Sequence, residues 1–144
     1  MHIGEGSPPS LNLLYSTDTV NWNDFIVGQT VVTLANVGDK VWFKAGPSGN
    51  IRLGSGDNSF HSFVMTGKLA ASGSILSLLD GTEGNITQLN SARSYAFNGL
   101  FKDCIALEEF NADIPAIPMT GGKTIYRNLL RNTSIKKAPN LPAT

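Results

Sequence analysis

Few side chains in this chain have the type and spacing that bond-making chemistry requires. The histidines are His2 and His61, so a catalytic set of nucleophile, histidine and acid would have to use His61. Its surroundings, Ser59-Phe60-His61-Ser62-Phe63, instead read as a strand with the histidine on one face. Glu108 and Glu109 could suggest paired acid and base carboxylates, but adjacent strand residues point to opposite faces and cannot converge on one bond. Gly121-Gly122-Lys123-Thr124 imitates the end of a phosphate-binding loop. The full pattern needs a glycine five residues before Gly122, where Ile117 stands, so the pair reads as a turn between repeats. Asp57 with Asn58 could offer oxygens to calcium, yet an Asx-rich turn explains them without an ion. No His, Cys or carboxylate cluster has metal-ligand spacing. The expectation is a protein that is not an enzyme and uses no cofactor and no metal.

The elements that would carry such residues contain a doubled motif. Leu100-Phe101-Lys102-Asp103-Cys104-Ile105-Ala106-Leu107-Glu108-Glu109-Phe110 is followed by Ile114-Pro115-Ala116. Leu129-Leu130-Arg131-Asn132-Thr133-Ser134-Ile135-Lys136-Lys137-Ala138-Pro139 is followed by Leu141-Pro142-Ala143. An apolar pair, a basic residue, Asp or Asn, and an aliphatic-Pro-Ala ending recur, so the copies should stack as coils and build surfaces that bind other molecules. The spacing of apolar residues in 91–101 predicts a short helix that Ser91 can cap. Each copy then turns at Asp103 or Asn132 and enters a short strand at Leu107 or Ile135, with Pro115 and Pro142 at the exits. Stacked coils lie about 4.8 Å apart, which would set Glu108 against Lys136 and Glu109 against Lys137. The single cysteine, Cys104, excludes an internal disulfide and aligns with Thr133, the mark of a buried ladder position rather than a reactive thiol.

The upstream half has a different texture. Residues 1–10 read as a flexible Gly-, Pro- and Ser-rich leader. From 11 to 72, short strands are predicted through Leu11, Leu13 and Tyr15, through 22–25, through 30–34, through 41–45 and through 60–65, with Gly-rich turns between them. These imply a small antiparallel, immunoglobulin-like β-sandwich with Leu13, Tyr15, Trp22, Val32, Leu34, Val41, Phe43, Phe63 and Met65 in its core. Residues 73–144 form the repeat segment, in which Ser74-Ile75-Leu76-Ser77-Leu78-Leu79 suits either a strand or a short helix. The fold class is mainly β with short helices.

The repeats resemble the BspA-like leucine-rich repeats of bacterial surface proteins. Phe101-Lys102-Asp103-Cys104-Ile105-Ala106-Leu107 matches the first half of the unit and Ala138-Pro139-Asn140-Leu141-Pro142-Ala143-Thr144 the second. Leu14-Tyr15-Ser16-Thr17-Asp18, Trp22, Val37-Gly38-Asp39-Lys40-Val41-Trp42-Phe43-Lys44 and Gly73-Ser74-Ile75-Leu76-Ser77-Leu78-Leu79 are similar to the small β-domain that often precedes them. The first copy lacks the Ala-Pro pair, and the second has Thr133 in the cysteine position. The resemblance implies the first coils of a leucine-rich repeat solenoid, and recognition or adhesion at an exterior surface without catalysis. Such repeats also occur in proteins of phages that infect gut bacteria, and the resemblance fixes no ligand-binding residue.

Composition sets the partners expected. The chain has 144 residues, 41% of them hydrophobic, enough for a folded core, and its 11 basic residues balance its 11 acidic ones. Balanced charge gives no reason to expect nucleic acid, and no apolar run is long enough for membrane insertion. Lys123, Arg127, Arg131, Lys136 and Lys137 nevertheless fall where no acidic residue follows Asp113, as a solvated or locally basic face. Trp42, Tyr126, Arg127 and Arg131 are the candidate contacts for a protein or glycan. The beginning of the chain does not read as a signal peptide. The expected settings are an extracellular or cell surface, or a virion, where the chain would serve as a decoration, fiber or receptor-binding component, with homo-oligomers or virion assembly as further partnerships. A carbohydrate-active enzyme is disfavoured by the lack of a convergent acid pair. Two coils are too few to bury a solenoid core, so further repeats or a partner chain are expected against the last one.

Overall fold

The computed structural model describes residues 2–3, 6–81 and 84–139, and the Leu141-Pro142-Ala143 ending of the second motif lies outside them. The described residues are mainly β, with helix confined to two short 3-10 segments. Eight strands form three small sheets: β1 (His2–Ile3), β6 (Ser59–Ser62) and β5 (Gly54–Gly56) in one; β3 (Asn23–Asp24), β2 (Leu13–Ser16) and β4 (Trp42–Ala45) in another; β7 (Leu69–Ser74) beside β8 (Leu107–Asp113) in the third. The first two sheets are antiparallel, and β7 and β8 are parallel.

Alternation in Leu13-Leu14-Tyr15-Ser16 drives the central strand of the second sheet. Leu13 pairs with Ala45 and Tyr15 with Phe43, placing the apolar members of β2 and β4 on one side. On the other side Lys44 sets its ammonium 4.0 Å from the Trp22 ring centroid, so Trp22 is a half-buried outer-face residue and not core as expected. The turn after β2 is organised by Asp18, whose carboxylate accepts from the backbone of Val20 and Asn21 at 2.9 and 2.7 Å. The β-branched run 30–34 forms no strand, and Val31 is 86% exposed. Its propensity finds no neighbouring ladder, and only Val32 packs against the core.

The described part of the leader is held in place rather than loose. β1 pairs with β6, Gly6 N donates to Asn58 O at 2.9 Å, and Ser55 Oγ donates to Ser7 O. Of the expected core, Leu13 and Phe63 are buried, while Tyr15, Val32, Phe43 and Met65 pack around the rim.

The densest burial lies further along, at Leu53, Leu79, Leu89, Phe97, Leu100 and Leu107. A chain of aromatic contacts joins both halves: Tyr15 to Phe25, Phe25 to Phe43, Phe43 to Phe63, Phe63 to Phe101 and Phe101 to Phe110, with centroids 5.1–6.2 Å apart. One hydrophobic core therefore runs across residue 72. Ser74 caps a 3-10 helix at Ile75–Leu78 by accepting from Leu76 N, which resolves the strand-or-helix choice.

Residues 91–101 depart from the expected helix. Asn90, not Ser91, caps a single 3-10 turn at Ser91–Arg93, and a series of tight turns follows. Tyr95, Gly99 and Asp103 have positive φ, and so do Thr124, Asn128 and Asn132. A left-handed residue every fourth position breaks helical continuity each time, although apolar spacing alone mimics a helix. Asn98, Leu100 and Lys102 donate to the carbonyls three residues back, and Arg127, Leu129 and Arg131 repeat the pattern. We call 95–104 the first coil and 124–133 the second.

A candidate recognition surface on the second coil

The two coils lie against each other through backbone hydrogen bonds. Tyr95, Phe97, Gly99, Phe101 and Asp103 donate to the carbonyls of Lys123, Ile125, Arg127, Leu129 and Arg131 at 2.9–3.1 Å. Even-numbered amides of the first coil close their own turns, and odd-numbered ones reach the second. Its carbonyls face the opposite way: Ala96 O accepts from Leu53 N, Leu100 O from Phe63 N, and Lys102 O from Ser62 Oγ. Asp103 and Asn132, 29 residues apart, are equivalent and touch side chain to side chain. This is the register in which the doubled motif aligns.

Asp103 is held below the usual carboxylate range chiefly by the Asn132 amide and then by Lys102, with Arg131 adding a smaller attraction. Phe97 and Tyr126 are equivalent in the same sense, and their rings stack with an interplanar angle of 3°. Tyr126 is thus a half-buried ladder residue that leans on the core. Its hydroxyl is buried without a hydrogen-bond partner, and burial pushes its pKa up to about 12.

Lys123, Arg127 and Arg131 are exposed and recur every four residues, each immediately before a left-handed residue. Arg127 makes an ion pair with Asp57 in the turn between β5 and β6, and Asn98, one repeat earlier, donates to Gly56 O in the same turn at 2.8 Å. Among the described residues, neither Lys123 nor Arg131 has a carboxylate within ion-pair distance. Trp42 stands on β4 in the second sheet, 37% exposed, and among the described residues no ion pair, hydrogen bond or ring contact joins it to the arginines. Of the four candidate contacts, then, Arg127 and Arg131 share a surface, Tyr126 lies behind it, and Trp42 is separate.

The remaining chemistry-bearing groups are occupied structurally. Glu108 pairs with Lys68 at 3.6 Å and Glu109 accepts from Asn111 at 3.2 Å, so the expected contacts with Lys136 and Lys137 do not form. β8 pairs with β7 through a bulge: Leu69 pairs with Leu107 and Ala70 with Glu109, leaving Glu108 as the extra residue. The bulge also resets alternation, so that Leu107 and Phe110 are both buried. The second copy has no strand at Ile135 among the described residues; its contact with β8 is Ser134 N to Leu107 O. Cys104 is buried with its thiol directed at Phe63 O, and burial pushes its pKa up to about 11.

His61 is buried on β6 and approaches Pro9 O through Nε2 at 2.7 Å; since a carbonyl only accepts, that nitrogen carries the proton. Burial lowers its pKa and the Pro9 bond opposes the shift. The histidine borders a cleft of about 520 Å³ walled by Pro8, Pro9, Leu11, Phe25 and Ile26.

Sequence reasoning missed Asp57 as the partner of Arg127, because nothing local connects positions so far apart. Asn98 carried a signal: it sits at the repeat equivalent of Arg127. No helix among the described residues is long and apolar enough to cross a membrane. No family matches this chain, and neither a curated protein nor a solved structure matches it.

Proposed function

We propose that this chain is a non-enzymatic recognition module that binds protein or glycan at an exterior surface. The observation that carries the reading is the pairing of two coils in a 29-residue register, with conserved turn geometry and different outward side chains. A repeat of this kind keeps its backbone constant while its surface positions are free to serve a ligand. In this reading the segment from 73 onward is the beginning of a BspA-like leucine-rich repeat solenoid, and the antiparallel sheets before it form an immunoglobulin-like sandwich that covers its first coil. Lys123, Arg127 and Arg131 would give the second coil a basic surface suited to carboxylate- or sulfate-bearing glycans or to an acidic protein face. A second reading, a structural component of a phage particle, is favoured by the amides of Tyr126, Asn128, Leu130 and Asn132, which have no acceptor among the described residues and form an edge that suits assembly.

The test is binding of the purified chain to glycan arrays and to intact bacteria, beside an Arg127→Ala/Arg131→Ala double variant. Saturable binding that the double variant loses at least about tenfold, equivalent to roughly 1.4 kcal/mol, supports recognition through this surface. Turnover of a bound glycan, abolished by replacing one carboxylate, would contradict the non-enzymatic reading. Recovery of the chain as a stoichiometric part of purified virions would establish the second reading.

A further inference from the structure

The outer face of the second coil has a chemical polarity that ordinary sheet edges lack. In the first coil, the amides of Phe97, Gly99, Phe101 and Asp103 all point to the second. Their equivalents one repeat on, the amides of Tyr126, Asn128, Leu130 and Asn132, have no acceptor among the described residues. The carbonyls of Ile125, Arg127, Leu129 and Arg131 are turned toward the first coil, and those of Thr124, Tyr126 and Asn128 accept within the second. The outer face therefore offers a row of donors with no acceptors between them.

Side-chain burial independently marks the same face as uncovered. Phe97, Phe101 and Cys104 of the first coil are 0%, 5% and 2% exposed, whereas Tyr126, Leu130 and Thr133 at the equivalent positions are only half-buried. The apolar row and the donor row coincide.

We infer that this face is a docking site for one further coil of the same 29-residue kind. That occupant would present a row of carbonyls at two-residue intervals and an apolar side-chain row, as the second coil presents to the first. Two competing occupants are chemically mismatched. A β-strand edge alternates N–H with C=O and would set donors against donors. A second copy would meet the face with an identical donor row, and the carbonyls of its first coil at Ala96, Leu100 and Lys102 are already taken by Leu53, Phe63 and Ser62. The inference does not depend on what the arginines bind.

The test appends a copy of residues 116–144 directly after Thr144, which puts an identical coil one period on. A second extension, made from residues 87–115, keeps the register with the first coil's sequence. Amide exchange is followed by NMR in the 144-residue chain and in both extended chains. Exchange at Tyr126, Asn128, Leu130 and Asn132 should be fast in the original chain and slow by at least about tenfold in an extended one, while Phe97 and Gly99 stay slow throughout. Failure of both extensions to slow those four amides, with Phe97 and Gly99 still protected, overturns the inference. Protection in the original chain that grows with protein concentration would assign the face to self-association and also overturn it.

Discussion

Asn132 donates through Nδ2 to Oδ1 of Asp103 at 3.0 Å, joining two left-handed residues that are 29 positions apart and occupy the same place in successive coils. Asp and Asn tolerate positive φ better than other residues with side chains, and their short polar groups can meet across the coil spacing. The same two residue types thus set the turn and tie neighbouring turns together.

The Asp103 carboxylate should respond to its partner. Replacing Asn132 by Gly preserves the left-handed turn but deletes the amide donor, so the Asp103 pKa, read by NMR titration, should rise toward the ordinary aspartate value. Because the folded pKa is depressed, the contact contributes stability above the unfolded value of about 3.9, and that stability is lost as pH falls through the lower folded value. The Asn132→Gly chain should show a weaker loss of stability on acidification over that window.

Gly99 and Gly121 separate steric fit from backbone strain. Both have positive φ, but a Cβ at Gly99 would lie 2.4 Å from the Phe60 ring, whereas at Gly121 the nearest atom is Ser91 Cβ at 4.0 Å. Gly121→Ala should cost about 1–2 kcal/mol from left-handed strain, and Gly99→Ala about 1–3 kcal/mol more from overpacking. Chemical denaturation of the two variants measures the difference.

Phe97 is fully buried and stacks on Tyr126, so it holds both coils. Phe97→Ala should destabilise the protein by about 3–5 kcal/mol. Arg127→Ala removes only a partly exposed ion pair and should change stability by about 1 kcal/mol or less. Equal losses in a denaturant titration would contradict the assignment of Phe97 to packing and Arg127 to the surface.

The Cys104 thiol stays protonated near neutral pH because its pKa lies near 11. A maleimide at pH 7.5 should leave the native chain unmodified and label it fully in denaturant. Rapid native labelling would place Cys104 outside the core.

Much of this was legible in the residues. Alternation through Leu11, Leu13 and Tyr15 and through 41–45 revealed two strands, found at Leu13–Ser16 and Trp42–Ala45, and aligning Asp103 with Asn132 gave the register of the coils. Short-range pattern failed where two backbone geometries share one apolar spacing. Ala96, Phe97, Leu100 and Phe101 recur as a helix would place them, yet Tyr95, Gly99 and Asp103 make a turn every fourth residue. A Gly, Asn or Asp at that interval was the available signal, diluted by Tyr95 and Thr124. The pairing of Glu108 with Lys136 failed for a different reason: the second copy forms no strand at Ile135 among the described residues, and nothing local in Ile135-Lys136-Lys137 announces that. At the candidate site, the exposure of Arg127 and Arg131 followed from their place in the repeat. The attachment of Arg127 to Asp57 depends on how the β5–β6 turn meets the first coil, which only the assembled fold specifies.

The two coils are joined by a one-directional row of backbone bonds. Residue-resolved amide exchange of the intact chain tests it most directly. Tyr95, Phe97, Gly99, Phe101 and Asp103 should exchange slowly, and Tyr126, Asn128, Leu130 and Asn132 should exchange at least about tenfold faster. Equal exchange in the two sets, or slower exchange in the second, would contradict the stacking and its polarity.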